Sequence, residues 1–488
     1  MPTMRLKRAA LFVHRWMGVM FCLLFAWWFL SGIFMMYWDF PEVTEEQRLE
    51  RAQPLDLSRV ARSPQQAWAA LAAGQEPAGV ALAMFDGRPV YRFRIDGGEQ
   101  MVYADDARPV TEFPREMRDR VASAWTGQPA LAARVEPVQA VDQWTVGGTF
   151  RSLQPLWKYT WPDGEEVYVS EATGEVAQYT TRSSRIGAYL GAIPHWLYFT
   201  PLRKNGRLWS RIVIWLSGAA TLVALFGLVV GVWMYAPFGR SSVPYAGWKR
   251  VHMILGLFFG LIACTWAFSG MLSMEPFPAP DERAEQTAGI RIARALRGKR
   301  PPLEAYADKS PQRALAEAGL APKELEFSAF LGEPAYVARA NAKQLRIIPV
   351  HGKATAGLDW HALADIAKAA VQPTTVAEVR LLTAYDAYYL DRLHERPLPV
   401  LRVRLNDDGN TRLYLDPRTG QLVGSYSSHG WVNRWLYHGL HSINLPWLYQ
   451  HRPAWDLLVL ALLGGGTALS ITSIWIAGQL LRRKLRIR

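Results

Sequence analysis

Histidine is sparse in this chain of 488 residues, and four of the ten histidines stand at matched intervals. His14 is followed four residues later by Gly18 and seventeen residues later by Ser31-Gly32. His252 is followed at the same distances by Gly256 and by Ser269-Gly270. Further along, "VYVSEATGEV" corresponds to "LYLDPRTGQL", and 22 residues separate Thr173 from His195 as they separate Thr419 from His441. Landmarks repeated in one order over such lengths mark an internal duplication. A pseudo-two-fold axis relating the halves then brings His14 to His252 and His195 to His441. Neutral imidazole ligates iron well, and two imidazoles on facing helices can hold a haem from both sides. The chemistry to expect is one-electron transfer at two haem sites.

The neighbours of these histidines fit that expectation. Gly18 and Gly256 lie one helical turn away and leave a bare patch where a flat macrocycle can approach the backbone. Arg15 and Arg250 stand beside the first pair, either as partners of haem propionates or as plain positive charges at a membrane face. Ser31-Gly32 and Ser269-Gly270 read as small residues that let helices pack closely. His438 lies one turn before His441 and competes with it for the second site; the matched 22-residue interval favours His441. The remaining histidines, His351, His361, His394, His429 and His451, have no repeat partner and read as surface or structural, with His394 or His429 as options for lining an external substrate site.

Cysteine narrows the cofactor. Cys22 and Cys264 both lie in apolar runs, with no CxxC or CxxCH spacing. That excludes c-type haem attachment and a thiolate iron–sulfur cluster, so the haems are b-type. "LGGGTALS" lacks the GxGxxG pattern and its strand-to-helix setting. No flavin or nicotinamide site is therefore expected, and the electron donor is separate: a cytoplasmic enzyme or a quinol.

Four apolar runs, at residues 11–38, 212–235, 252–274 and 454–480, are long enough to cross about 30 Å of hydrocarbon. The first is too long for a signal peptide and lacks a small-residue cleavage site. Arg5, Lys7, Arg8 and Arg15 flank the first run, Arg240, Lys249 and Arg250 the loop before the third, and Arg482, Arg483, Lys484, Arg486 and Arg488 the end of the fourth. Four crossings put all three clusters on one side, which predicts cytoplasmic termini in a bacterial inner membrane. The same clustering accounts for the net charge of +13, in the absence of any nucleic-acid motif. The 21 tryptophans suit an interface with membrane lipid.

The organisation that follows is a cytoplasmic N-terminus (1–10), transmembrane helices at 11–38, 208–235, 249–274 and 454–480, a cytoplasmic loop (236–248), and a basic tail (481–488). Two periplasmic domains, 39–207 and 275–453, each end in an aromatic, amphipathic interfacial segment carrying a histidine of the second pair. Alternating patterns around Gly97-Gly98, Asp163-Gly164 and Asp408-Gly409 predict hairpins. Helical patterns such as "SPQQAWAALAA" and "ADIAKAAVQ" lie between them, so both external domains are α+β.

With these residues in place, "HRWMG" with "SGIFMM", "VHMILG" with "SGML", "PHWLYFTPL" and "LHSINLPWL", and "YVSEATGEV" with "YLDPRTGQLV", the chain resembles the PepSY-associated transmembrane family over nearly its whole length. Some members are inner-membrane reductases that bind two b-type haems and reduce ferric siderophores in the periplasm. The resemblance implies PepSY-like external domains, axial ligation by His14, His252, His195 and His441, and a ferric siderophore as acceptor. Two other readings stay open. One is a quinol-linked cytochrome b reducing a periplasmic protein; the other is a non-catalytic, membrane-anchored peptide- or protein-binding chain.

Overall fold

Among the described residues, four helices are long and apolar enough to cross a membrane: α1 (Pro2–Met35), α2 (Gly206–Met234), α3 (Gly247–Leu272) and α4 (Ala454–Leu485). The computed structural model describes residues 2–72, 76–95, 98–236, 242–277 and 283–485. Gly97, Arg240, Arg486 and Arg488 of the sequence argument lie outside them. α1, α2 and α3 begin nine, six and five residues before their apolar runs and α4 extends five residues past its own, because the polar flanks continue the same backbone hydrogen bonding; α1, α2 and α3 end three, one and two residues short of their runs. Met20, Leu23, Trp27 and Leu30 expose one stripe of α1, at helical spacing, to the lipid side.

The helices form a ring. α1 packs on α4 and α2, and α3 packs on α2 and α4. The helices related by the duplication, α1 with α3 and α2 with α4, therefore stand diagonally. Two glycines of "LGGGTALS" make the ring close: a Cβ at Gly465 would overlap the Phe259 ring, and one at Gly466 the Phe29 ring.

Among the described residues, the external region contains three antiparallel sheets. In chain order the first half supplies β1 (Gly79–Phe85), β2 (Arg88–Ile95), β3 (Gly98–Tyr103), β4 (Pro109–Val110), β5 (Arg134–Pro137), β6 (Leu156–Thr160), β7 (Glu166–Ser170) and β8 (Val176–Thr180). The second supplies β9 (Glu324–Phe330), β10 (Glu333–Arg339), β11 (Leu345–Pro349), β12 (Val376–Leu382), β13 (Val400–Leu405), β14 (Arg412–Leu415) and β15 (Leu422–Tyr426). Each half has its own four-stranded sheet, β5-β6-β7-β8 or β12-β13-β14-β15.

The remaining strands do not form one sheet per half. They join into a single seven-stranded sheet, ordered β11-β10-β9-β1-β2-β3-β4. At its centre β1 pairs with β9, Ala81 opposite Glu326 and Leu82 opposite Leu325. Leu82 and Leu325 are fully buried there, in a core with Tyr91, Phe93, Phe327 and Tyr336.

The hairpins follow from turn chemistry. Asp86-Gly87 joins β1 to β2 and Leu331-Gly332 joins β9 to β10, all with positive φ, as two-residue hairpin turns require. The Thr-Gly motif has a positional reason. Gly174 and Gly420 both take φ near +70°, and side chains at the ends of β1 and β9 (Phe85 and Phe330) stand over them. The motif seats each four-stranded sheet against the shared one.

Candidate functional site

Two histidine pairs form, one towards each end of the bundle. His14 lies near the start of α1 and His252 near the start of α3, and their rings face each other with centroids 6.3 Å apart. His195 sits on the short helix Ala192–Trp196, just past the Arg182–Leu190 helix. His441 follows a π-helical turn, Val432–Gly439. Their ring centroids are 5.9 Å apart. A metal held at about 2 Å by one nitrogen of each ring sets the centroids about 6 Å apart, which both pairs match. The two levels are separated along α1 by the 17 residues from His14 to Ser31, about 25 Å of helix.

The tautomer of each ring can be read from its partners. His14 Nδ1 lies 3.1 Å from the Val223 carbonyl, and His195 Nδ1 lies 3.2 Å from the Trp28 carbonyl. A carbonyl only accepts, so each Nδ1 carries the proton and donates. His252 Nδ1 lies 3.0 Å from Thr472 Oγ1, and His441 Nδ1 lies 3.0 Å from Ser269 Oγ. Both hydroxyls donate onward, to the Leu469 and Trp266 carbonyls, and so accept from the imidazole. All four rings are thereby left with a bare Nε2, the lone pair that a metal needs. Burial, reinforced by the neighbouring His441, pushes the His195 imidazole well below its ordinary pKa; burial does the same to His441. Both are neutral.

Each pair opens into a cavity. The first, of about 580 Å³, is lined by His14, His252, Gly18, Gly256 and Gly227, with Arg8, Arg15 and Lys249. The second, of about 530 Å³, is lined by His195, His441, His438, Gly32 and Gly270, with Arg392. Both fall within the roughly 300–1,000 Å³ of cofactor pockets. The two cavities share Phe25, Phe29 and Ala263 as a common wall.

A haem fits this donor set better than a bare ion does. Among the described residues no group of three or more His, Cys, Asp or Glu side chains could hold a metal. A protein site for zinc supplies three or four ligands. Two imidazoles suffice when a macrocycle occupies the other positions. A Cβ at Gly18 would meet only open space, so the face of the first cavity beside His14 is clear.

The predicted residues separate as follows. His14, His252, Gly18, Gly256 and Arg15 line the first cavity. Arg250 does not. It stands two positions before His252, which on a helix is another face, and it is exposed. Lys249 lines the cavity instead, with Arg8. His441, not His438, faces His195, although His438 also lines the second cavity. Both line the cavity, and His441, just past the end of the π-helical turn, is the one whose ring meets His195. His351, His361, His394, His429 and His451 are all exposed.

Ser31 and Ser269 do more than pack. Ser31 Oγ lies 3.1 Å from His195 Nδ1, the counterpart of Ser269 on His441. Gly32 and Gly270 give the same imidazoles room, with His195 Cε1 and His441 Cε1 at 3.8 and 3.5 Å from a hypothetical Cβ. Thr472 and Gly227 were not apparent from the sequence. A signal for Gly227 was present. It lies 32 residues after His195, as Ser473 lies 32 after His441, and Ser473 Oγ approaches His252 Nδ1 at 3.4 Å.

The model of the PepSY-associated TM region matches residues 11–326. The chain belongs to that family. The PepSY match takes in His14, His195 and His252 and ends within β9 of the shared sheet. His441 lies beyond it, so its place rests on the repeat and the geometry. No curated protein matches this PepSY-associated chain. Family and helices together make it a multi-pass membrane protein with external α+β domains.

Proposed function

We propose that this protein is a transmembrane electron-transfer oxidoreductase that holds two b-type haems and passes electrons from the cytoplasmic side to a periplasmic acceptor, ferric iron in a siderophore. The observation that carries the reading is the doubled imidazole pair: matched separations, Nε2 left bare on every ring, and a cofactor-sized cavity at each pair. When bound, each haem supplies a one-electron Fe(III)/Fe(II) couple. The chain's own residues do the rest. Val223, Thr472, Ser31 with Trp28, and Ser269 fix the imidazole tautomers. Arg8, Arg15 and Lys249 offer cations to propionates at the first cavity, and Arg392 at the second. Phe25 and Phe29 fill the space between the cavities and exclude water there.

Lys and Arg at the start of α1, the start of α3 and the end of α4 support cytoplasmic termini. The external domains then lie in the periplasm of an inner-membrane protein. Ferric iron suits such a wire because its reduction takes one electron and weakens chelation. The electron donor is a separate cytoplasmic enzyme or quinol.

The test is the absorption spectrum of the purified protein with haem-to-protein stoichiometry. A b-type Soret band, a reduced α-band and two haems per chain are expected. His14→Ala and His252→Ala should each remove one and the same haem, and His195→Ala and His441→Ala the other. A protein purified without haem, or loss of the second haem in His438→Ala but not in His441→Ala, overturns the assignment.

A further inference from the structure

We infer that two tyrosine–aspartate pairs, Tyr168–Asp142 and Tyr414–Asp386, are positioning residues through which the external sheets set the geometry of the second histidine pair. The inference rests on the haem reading above. Tyr168 lies on β7 and Tyr414 on β14, both fully buried, and each stands 27 residues before its histidine. Tyr168 Oη donates to Asp142 Oδ2 at 2.7 Å. Tyr414 Oη donates to the Asp386 carboxylate at 3.0 Å. Each aspartate caps a turn in the loop joining the first two strands of its sheet. Asp142 accepts from the backbone N–H groups of Trp144 and Thr145, and Asp386 from those of Tyr388 and Tyr389.

The residue after each aspartate then reaches the histidine segment. Gln143 Nε2 donates to the Tyr198 carbonyl at 2.7 Å, three residues past His195. In the other half the Ala387 carbonyl accepts from Arg434 Nε at 2.6 Å, and Arg434 Nη2 donates to the Asn444 carbonyl at 3.2 Å, three residues past His441. The same carbonyl is gripped in both halves, by a side chain in one and through a buried arginine in the other. A connection kept while its chemistry has diverged is hard to explain by packing alone.

The backbone gives the grip a purpose. Leu197 and Ile443, each two residues past a histidine, hold φ at +53° and +48°. Non-glycine residues adopt that region at a cost, most of all a β-branched one. A strained turn persists only where its surroundings over-determine it. The gripped carbonyl is the next residue in each case. Loosening the latch lets this turn relax and the imidazole swing with it.

The experiment uses the full-length holoprotein in detergent, with three variants: Tyr168→Phe, Tyr414→Phe, and Gln143→Ala, which leaves sheet and aspartate intact. Haem content, low-spin electron paramagnetic resonance signals and a redox titration are read together. The result expected is that each variant keeps the His14–His252 haem signal unchanged, displaces the signal and midpoint of the His195–His441 haem, and releases that haem about 10-fold faster to an apo-globin trap. A role confined to folding would alter both haems together or neither. Wild-type stoichiometry with both signals unmoved in all three variants overturns the positioning role while leaving the haem reading intact. A wild-type protein without haem overturns that reading, and the positioning role with it.

Discussion

Substitution of Gly227 by alanine should weaken haem binding at the His14–His252 pair without weakening the fold. A Cβ at this position on α2 would lie 2.6 Å from His14 Cε1, 3.1 Å from Nδ1 and 3.5 Å from Nε2. Carbon atoms settle at about 3.5–4.0 Å, so the ring must retreat by about 1 Å. Retreat stretches the bond from His14 Nδ1 to the Val223 carbonyl, one turn earlier on the same helix and now at 3.1 Å. That bond is worth about 0.5–1.5 kcal/mol, or about 2–10-fold in affinity. Displacement of Nε2 from its facing partner adds to the loss, and changes around metal ligands commonly reach about 10–100-fold. We expect haem at the His14–His252 pair to bind about 10–100-fold more weakly. Alanine for glycine in a helix favours the helix by about 1 kcal/mol, so the melting temperature of the spans should hold or rise. Haem stoichiometry after exposure to an apo-globin acceptor reads the effect, and Gly231→Ala, whose Cβ meets only Leu257 at 3.4 Å, is the control. A Gly227→Ala protein that retains two haems with unaltered low-spin signals would refute the placement of His14 against α2.

Other consequences are open to measurement. Ser31→Ala and Ser269→Ala each remove one bond to an imidazole Nδ1 while the ring stays in place, so each should weaken the His195–His441 haem by about 2–10-fold and spare the other haem, as read by separate redox waves. Leu82→Ala at the centre of the shared sheet should cost about 2–5 kcal/mol and expose strands of both halves together to protease; cleavage confined to the first half would contradict a shared core. Gly466→Val drives a branched side chain into the Phe29 ring and should lower the thermal stability of the bundle, whereas Gly464→Val, with nothing within 4 Å of its Cβ, should not.

The pairing of the histidines was more legible in the sequence than the architecture that holds them. The intervals His14–Gly18–Ser31 and His252–Gly256–Ser269 reveal the pairing because they are copies of one local unit. The role of Ser31 and Ser269 was not legible, since a serine before a glycine in a span equally suits helix packing. Only the approach of a histidine from a segment 164 residues away settles it. Arg250 misled because proximity in sequence is not proximity on a helix, and Lys249, one position earlier, has the right face. "LGGGTALS" lacked a phosphate-binding setting, and the rings over Gly465 and Gly466 supply its reason. The pairing of β1 with β9 left no trace, because alternation predicts that a strand exists but not which distant strand it joins.

That pairing bears on how the chain is made. β1 and its partner β9 are separated by about 240 residues, among them two whole spans. At about 5–20 residues per second, synthesis leaves β1 a bare edge for about 12–50 s. During that interval its N–H and C=O groups are a template for any passing strand. The nascent first half is therefore open to mispairing at this edge, and a chain stalled after α2 should be more prone to aggregate than the finished protein.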